Sequence, residues 1–507
     1  MTTQRGAALF VLGCLLAAPA GDRAASAQTG VPPGASSVVR DFIDVPGAGS
    51  TQAPSLVFVF VPGLNSGPNT ADILARALVG ARGPELQVWV VAARSTLLQD
   101  RRGIEAALDY RHPDFALGYY YGSLEIEGTT FHRVRGPDVP YMAYWGLDVH
   151  LRDIRAIVHE VRSRYPNARV VLGGHSLGGI LAAAYAGYDF AKVPGSARPI
   201  PRPRGVLPPP TDIGAEDLAG LLFLDGLPLR IPLRITPDRY LRGFWVPILG
   251  RIPGVERLTD PDPKKRIAPF TRSSKLARTE DSILLDVVSV YALLRPEAPS
   301  YFPFPPRRGV RIANDALVAG ILSDQMQPDT LVRAGVEQPV GVFARVPDPA
   351  NLNPHGLLDL QSGHPAPGEP LIRLPPAGSE PRPRVPVREL IEAILRPGGD
   401  FTEWYFPWRL LLDAALAAPL DPEDPFAGRY FSLTHVGDTR LPMLIFGAGH
   451  GLVRSAGATE YYLRHVATPP DRVTVKIFPD FSHLDIADAD PNPAVPMILT
   501  WLRTVIH

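Results

Sequence analysis

The sequence predicts an α/β protein, with a mostly parallel sheet covered by helices on both faces and broken by one large insertion. Three observations predict it. Wholly apolar, strand-like runs alternate with helical periodicity up to residue 226. The same alternation returns over residues 441–507. Between them the chain is broken by prolines and keeps neither pattern for long.

The elements follow in order. "SLVFVFVPG" (Ser55–Gly63) reads as a buried strand, "TADILARALVG" as a helix and "LQVWVVAAR" (Leu86–Arg94) as the next strand. In "LDVHLRDIRAIVHEVRSRYP" the apolar residues Leu147, Leu151, Ile154, Ile157, Val158 and Val161 recur at helical spacing, and Pro166 closes the run. "RVVLG" (Arg169–Gly173) and "AGLLFLDG" (Ala219–Gly226) are further strands, separated by a helical stretch from Gly179. Strands with no polar alternation are those buried on both faces, as in a parallel sheet. Residues 227–440 show only short helices, around Ser282–Leu294 and Pro386–Leu395. The strand "LPMLIFGAG", a helix from about Ala456, the strand "RVTVKIFPD" and the helix "AVPMILTWLRTVI" complete the pattern. The organisation is therefore a core in two parts, 28–226 and 441–507, around a proline-rich insertion at 227–440.

The first 27 residues carry Arg5, an apolar run from Ala7 to Ala20, and small-residue sites at Ala18-Pro19-Ala20 and Ala25-Ser26-Ala27. This is the layout of a signal peptide and predicts a secreted or periplasmic protein with no integral membrane span in the mature chain. Cys14, the only cysteine, lies inside it. The mature chain would then hold no disulfide, thiol nucleophile or cysteine metal site. Lys+Arg and Asp+Glu both number 51. That balance provides no field for a nucleic acid.

"VVLGGHSLGGILAAAYAG" (Val170–Gly187) contains Gly174-His175-Ser176-Leu177-Gly178, a G-x-S-x-G pattern where a strand gives way to a helix. A serine held on so tight a turn is exposed to attack a substrate, but its hydroxyl is a poor nucleophile without a base, and the base needs a third group to orient it. The bland alternative is a glycine-rich turn with a solvated serine.

The stretches "GHSLGG", "VPGLN" and "SHLD" together resemble the α/β-hydrolases, of the lipase and esterase kind, over Val38–Asp225 and Leu441–His507. The resemblance implies a nucleophile, Ser176, and a histidine just past the last strand, which is His483 in "FPDFSHLD". It places the acid most often after the penultimate strand. There "FGAGHGLVRSAGATE" has His450 and no carboxylate before Glu460. Asp225, ending "LLFLDG", is preferred to Glu460, with Asp485 and Asp488 after them. The oxyanion donors implied are the backbone N–H groups of Leu177 and of Leu64 or Asn65. No cofactor or metal is required.

The activity implied is an exported serine hydrolase that cleaves small or lipid-like carboxylic esters, hydrophobic ones above all. Lactones, amides and peptides share this chemistry, and a non-catalytic binding protein could share the fold. The insertion resembles a lid or cap, since "FTEWYFPWRLLLDAALAAPL" and "GFWVPILG" concentrate aromatic residues, and Trp404 and Trp408 become candidate substrate-binding residues. The same aromatics could instead form the insertion's own core.

Overall fold

The computed structural model describes residues 42–44, 53–82, 85–191, 211–228, 236–246, 250–271, 279–302, 312–326, 333–340, 371–375, 384–417 and 431–506. The leader at 1–27 lies outside the described residues, as do several of the proline-rich stretches.

Seven strands form the main sheet: β1 (Phe42–Asp44), β2 (Leu56–Val61), β3 (Leu86–Val91), β4 (Arg169–His175), β5 (Gly220–Leu224), β6 (Met443–Ala448) and β7 (Val473–Phe478). Their spatial order is β1-β3-β2-β4-β5-β6-β7. Only the edge strand β1 runs antiparallel, against β3, and every other pairing is parallel. Helices α1 (Asp72–Arg82), α2 (Arg102–Asp109), α3 (Asp114–Tyr121), α4 (Leu147–Arg164) and α5 (Leu177–Ala186) precede the insertion.

Successive side chains of a strand point to opposite faces, which explains why β2 is apolar throughout. Val57, Val59 and Val61 pack with α4 and α5, whereas Leu56, Phe58 and Phe60 pack with α1 and the final helix Ala494–Ile506. Helices thus cover both faces, as the apolar runs predict.

The chain passes from β2 outward to β3 and then returns to place β4 on the other side of β2. Ligands in open α/β sheets bind at the carboxyl ends of the strands where the order reverses in this way. Three register pairs align those ends: Val61 of β2 lies beside Gly174, His175 beside Leu224, and Leu224 beside Phe446. The loops after β2, β4, β5 and β6 therefore emerge side by side.

The insertion, which falls between β5 and β6, does not bury its apolar residues alone. A second core joins Ile104, Leu117, Tyr120 and Met142, from the segment between β3 and α4, with Ile283, Leu317, Leu390 and Trp404 of the insertion. Sequence pattern assigns the first four to the sheet domain, whereas their packing partners are in the insertion. The helix Trp408–Ala417 packs back on the first core.

Candidate active site

Strand β4 ends at His175 and α5 begins at Leu177, leaving Ser176 alone at the bend. Its backbone sits at φ 57, ψ −122. A non-glycine residue held there costs on the order of 1–3 kcal/mol and persists only where the surroundings enforce it. Close packing does so. A Cβ on Gly178 would lie 1.9 Å from the carbonyl oxygen of Val61, at the end of β2. Only glycine lets α5 start so close to its neighbouring strand. The Ser176 N–H donates to Leu224 O at 3.1 Å, tying the bend to β5.

Asp225 follows directly, fully buried and itself at φ 42. Oδ2 accepts from His483 Nδ1 at 2.6 Å and from Leu452 N–H at 2.9 Å; Oδ1 accepts from the N–H groups of Ala448 (3.1 Å) and Val453 (2.8 Å). Burial by itself would raise the Asp225 pKa. The hydrogen bond and charge of His483, with the Leu452 and Val453 N–H groups, outweigh burial and hold it below its ordinary value. The ionised carboxylate only accepts, so Nδ1 of His483 carries the proton and Nε2 presents its lone pair.

His483 follows β7 and is 4 % exposed. The His175 ring packs on it with centroids 4.3 Å apart, and the His175 Nε2–H donates to the His483 carbonyl at 2.8 Å. Burial, then the charge of His483, pushes the His175 pKa down to about 3. His175 stays neutral and orients its neighbour without competing for its proton. Sequence reading passed over it because it fills a variable position of the serine motif.

The structure thus bonds His483 to Asp225 and ties the backbone of Ser176 to Leu224, the residue before Asp225. The rival acids lie elsewhere. Glu460 is exposed at the start of a short helix, Glu460–Leu463. Asp485 is taken by Arg384 and by the N–H groups of Gly335 and Ser482, and neither carboxylate oxygen of the buried Asp488 has a partner. The loop after β6 has another role: it wraps Asp225 with N–H donors. Gly451 permits this, since a Cβ there would lie 1.8 Å from Asp225 Oδ2. His450 is exposed and its carbonyl accepts from Arg333.

Of the expected oxyanion donors, Leu177 directly follows the serine and Leu64 and Asn65 lie in a loop that passes beside it. Leu177 is the first residue of α5, where no preceding turn supplies an acceptor for the N–H. Leu64 lies in the loop after β2, and a Cβ on its neighbour Gly63 would sit 3.0 Å from Ser176 Cβ. The insertion braces this loop. Gly67 N–H donates to Phe401 O at 2.8 Å and Glu403 N–H to Asn65 O at 3.0 Å, and Ser66 pairs with Thr402.

A cavity of about 40 Å³ opens beside Gly63 and Leu177. Val61, Ile154, Leu181, Phe406 and Leu410 supply apolar walls, and Glu403, His150 and Asp153 line it as well. Trp404 and Trp408, the expected substrate-binding residues, are not among the residues that line it. A buried indole N–H needs an acceptor. That of Trp404 donates to Asp286 at 2.9 Å, fixing the ring in the second core against Tyr120 and Phe131. Trp408 is 5 % exposed and packs in the first core at the start of its helix. Glu403 and Phe406, from the same aromatic stretch, line the cavity.

Among the described residues no group of three or more His, Cys, Asp or Glu is placed to hold a metal, and no helix is long and apolar enough to cross a membrane.

No protein-family profile matches the chain, and no curated protein matches it. Among solved structures it is similar to a putative lipase from Sulfolobus solfataricus, at 14% identity and TM-score 0.45, over 89% of this chain and 87% of that one. It is also similar to MenH from S. aureus (11%, TM-score 0.32, 92% and 100%) and to a monoacylglycerol lipase from Paleococcus ferrophilus (10%, TM-score 0.31, 90% and 96%). Likenesses so distant say nothing of activity. The sheet order with its antiparallel edge, the bend at Ser176 and the loops converging on it define the fold in their own right: this is an α/β-hydrolase fold with a large insertion after the fifth strand.

Proposed function

We propose that the protein is a serine hydrolase that cleaves carboxylic esters through an acyl-enzyme, with Ser176 as nucleophile, His483 as base and Asp225 as the orienting acid. The 2.6 Å bond from His483 Nδ1 to a buried, N–H-saturated Asp225 carries the reading. A carboxylate so enclosed has little use as a surface charge, whereas it fixes the imidazole tautomer that can take a proton from serine.

In the first half-reaction Ser176 Oγ bonds to the ester carbonyl carbon and passes its proton to His483 Nε2. The carbonyl oxygen becomes an oxyanion, stabilised by the N–H groups of Leu177 and Leu64. As the C–O bond to the alcohol breaks, His483 returns the proton to the leaving oxygen. Water, deprotonated by His483, then attacks the acyl-enzyme, and Ser176 recovers its proton as the acid departs. Asp225 stays ionised throughout.

The apolar walls around the cavity suit the carbon chain of an acyl group, and its small volume favours a short one. The leader makes the protein a candidate for export. A panel of esters, lactones and amides tests the reading on purified protein, with Ser176→Ala as control. Ester turnover should fall by a factor on the order of 10⁶ in the variant. Hydrolysis of amides or lactones in preference to every ester would refute the ester assignment, and activity retained by Ser176→Ala would refute the mechanism.

A further inference from the structure

The cavity beside Gly63 and Leu177 is not uniformly apolar. Asp153 forms a two-bond ion pair with Arg94, one bond of which, from Nε, is 2.8 Å long, and Glu403 accepts from the hydroxyl of Ser95. Arg94 and Ser95 are consecutive, and the residues they hold, Asp153 and Glu403, both line the cavity. His150 lies one helical turn before Asp153 on α4 and lines it too. His150 Nδ1 is 2.9 Å from the carbonyl of Gly146, which can only accept, so Nδ1 holds the proton and Nε2 is a lone-pair acceptor. Nε2 is buried and has no hydrogen-bond partner.

A buried acceptor with no partner is costly unless a ligand supplies the missing donor, and the residue that carries this one lines the cavity. None of the proposed hydrolytic steps uses His150, Glu403 or Asp153. The walls also identify the part of the substrate concerned. The leaving alcohol must lie against His483 to receive its proton; neither His483 nor Ser176 lines this cavity, whereas Leu177, next to the serine, and Gly63 of the oxyanion side do.

We propose that this cavity is the acyl pocket of the Ser176 site and that it selects a short acyl chain bearing a neutral hydroxyl, which donates to His150 Nε2 and accepts from the Glu403 carboxyl. The assignment rests on Ser176 being the nucleophile. Burial raises the Glu403 pKa to about 8, against the weaker opposite pull of Ser95, so at neutral pH Glu403 keeps a proton to donate. Burial likewise lowers the His150 pKa and keeps the ring uncharged. Asp153 is already neutralised by Arg94. One acceptor and one donor in an electrically compensated pocket match a hydroxyl. An ammonium group, with donors only, has nothing to offer the Glu403 proton.

The test compares kcat/KM for matched alkanoyl, ω-hydroxyalkanoyl and ω-ammonioalkanoyl esters of one chromogenic phenol, across short chain lengths. At one length the wild-type protein should prefer the hydroxyl member by about tenfold or more, because a site built around a hydroxyl rejects the analogue lacking it. His150→Leu and Glu403→Leu should each bring the hydroxyl-to-alkanoyl ratio towards one. Glu403→Gln, which keeps a donor, should retain part of the preference. Circular dichroism and stoichiometric reaction with a phosphonate establish that each variant is folded. Equal rates for hydroxyl and alkanoyl esters, an unchanged ratio in the leucine variants, or a preference for the ammonium ester would overturn the assignment.

Calorimetry on Ser176→Ala with the methyl esters of the alkanoic and ω-hydroxyalkanoic acids separates the two readings. Tighter binding of the hydroxyl ester, in a wild-type protein that hydrolyses neither, would uphold the pocket and refute the hydrolase. Hydrolysis without discrimination, and equal binding, would do the reverse.

Discussion

The sheet and the insertion contribute to the site by different physical means. In the sheet, each candidate catalytic group stands at the carboxyl end of a strand whose register with its neighbours fixes where that group emerges: Ser176 after β4, Asp225 after β5 and His483 after β7. The insertion provides no member of this set. Its strand-like segment 400–403 ties down the loop carrying Leu64, Arg384 holds Asp485 two residues past His483, and Glu403 and Phe406 line the cavity. The sheet supplies the chemistry by short-range geometry, whereas the insertion shapes and braces it through contacts between residues far apart in the chain.

The largest expected effect lies in the sheet. Asp225→Asn should lower kcat by about 10⁴, because an amide both favours the wrong imidazole tautomer and turns an N–H towards the donors of the β6 loop. Glu460→Gln, at the exposed position, should leave kcat within about twofold. Steady-state kinetics on the two variants decides between them, and the reverse order would move the acid to Glu460.

The insertion should respond in stability first. Trp404→Ala opens a cavity in the second core and strands Asp286, which should cost about 3–5 kcal/mol in urea unfolding. A loss under about 1 kcal/mol, with altered ester selectivity, would return Trp404 to the substrate side. Arg384→Met leaves the buried Asp485 without its cation. About 1–3 kcal/mol is expected, reduced from the fully buried case because a third of the Arg384 side chain meets water. Since Asp485 also holds the Ser482 N–H, kcat should fall with it. Unchanged kcat at lower stability would mean that the brace is dispensable for the histidine.

The smallest effect is one of pH. With its folded-state pKa raised to about 8, Glu403 keeps a proton that the unfolded chain has lost, from the ordinary carboxyl range up to that value. The folded state binds the extra proton, so stability should fall as pH rises through this window and level off above it. Glu403→Gln should reduce that slope. Asp286, raised to about 7 by burial, acts with the same sign over the lower part of the window and should keep some slope in the variant. Urea midpoints measured on both sides of the window provide the comparison. Identical slopes in the two proteins would place Glu403 in water.

What was legible in the sequence follows the same division. Ser176, the strands around it and His483 were readable because each is announced within a few residues by glycines, apolar runs or a strand end. Asp225 followed from the resemblance, whose commonest acid position in the β6 loop offers no carboxylate before Glu460, although nothing in the chain foretold that this loop would wrap Asp225 with N–H groups. Trp404 and Trp408 show where local reading stops. Their stretch is aromatic for packing, and which of its residues face a cavity depends on partners such as Asp286 and Tyr120, more than a hundred residues away. Composition could not separate Phe406 from Trp404.

The central claim is that Ser176 is an activated nucleophile, and reaction with a fluorophosphonate followed by peptide mass spectrometry tests it most directly. One adduct per chain is expected, on the peptide containing Ser176. Labelling should be lost in Ser176→Ala and strongly slowed in His483→Ala and Asp225→Asn. No adduct on folded wild-type protein, or an adduct on a different residue, would contradict the account.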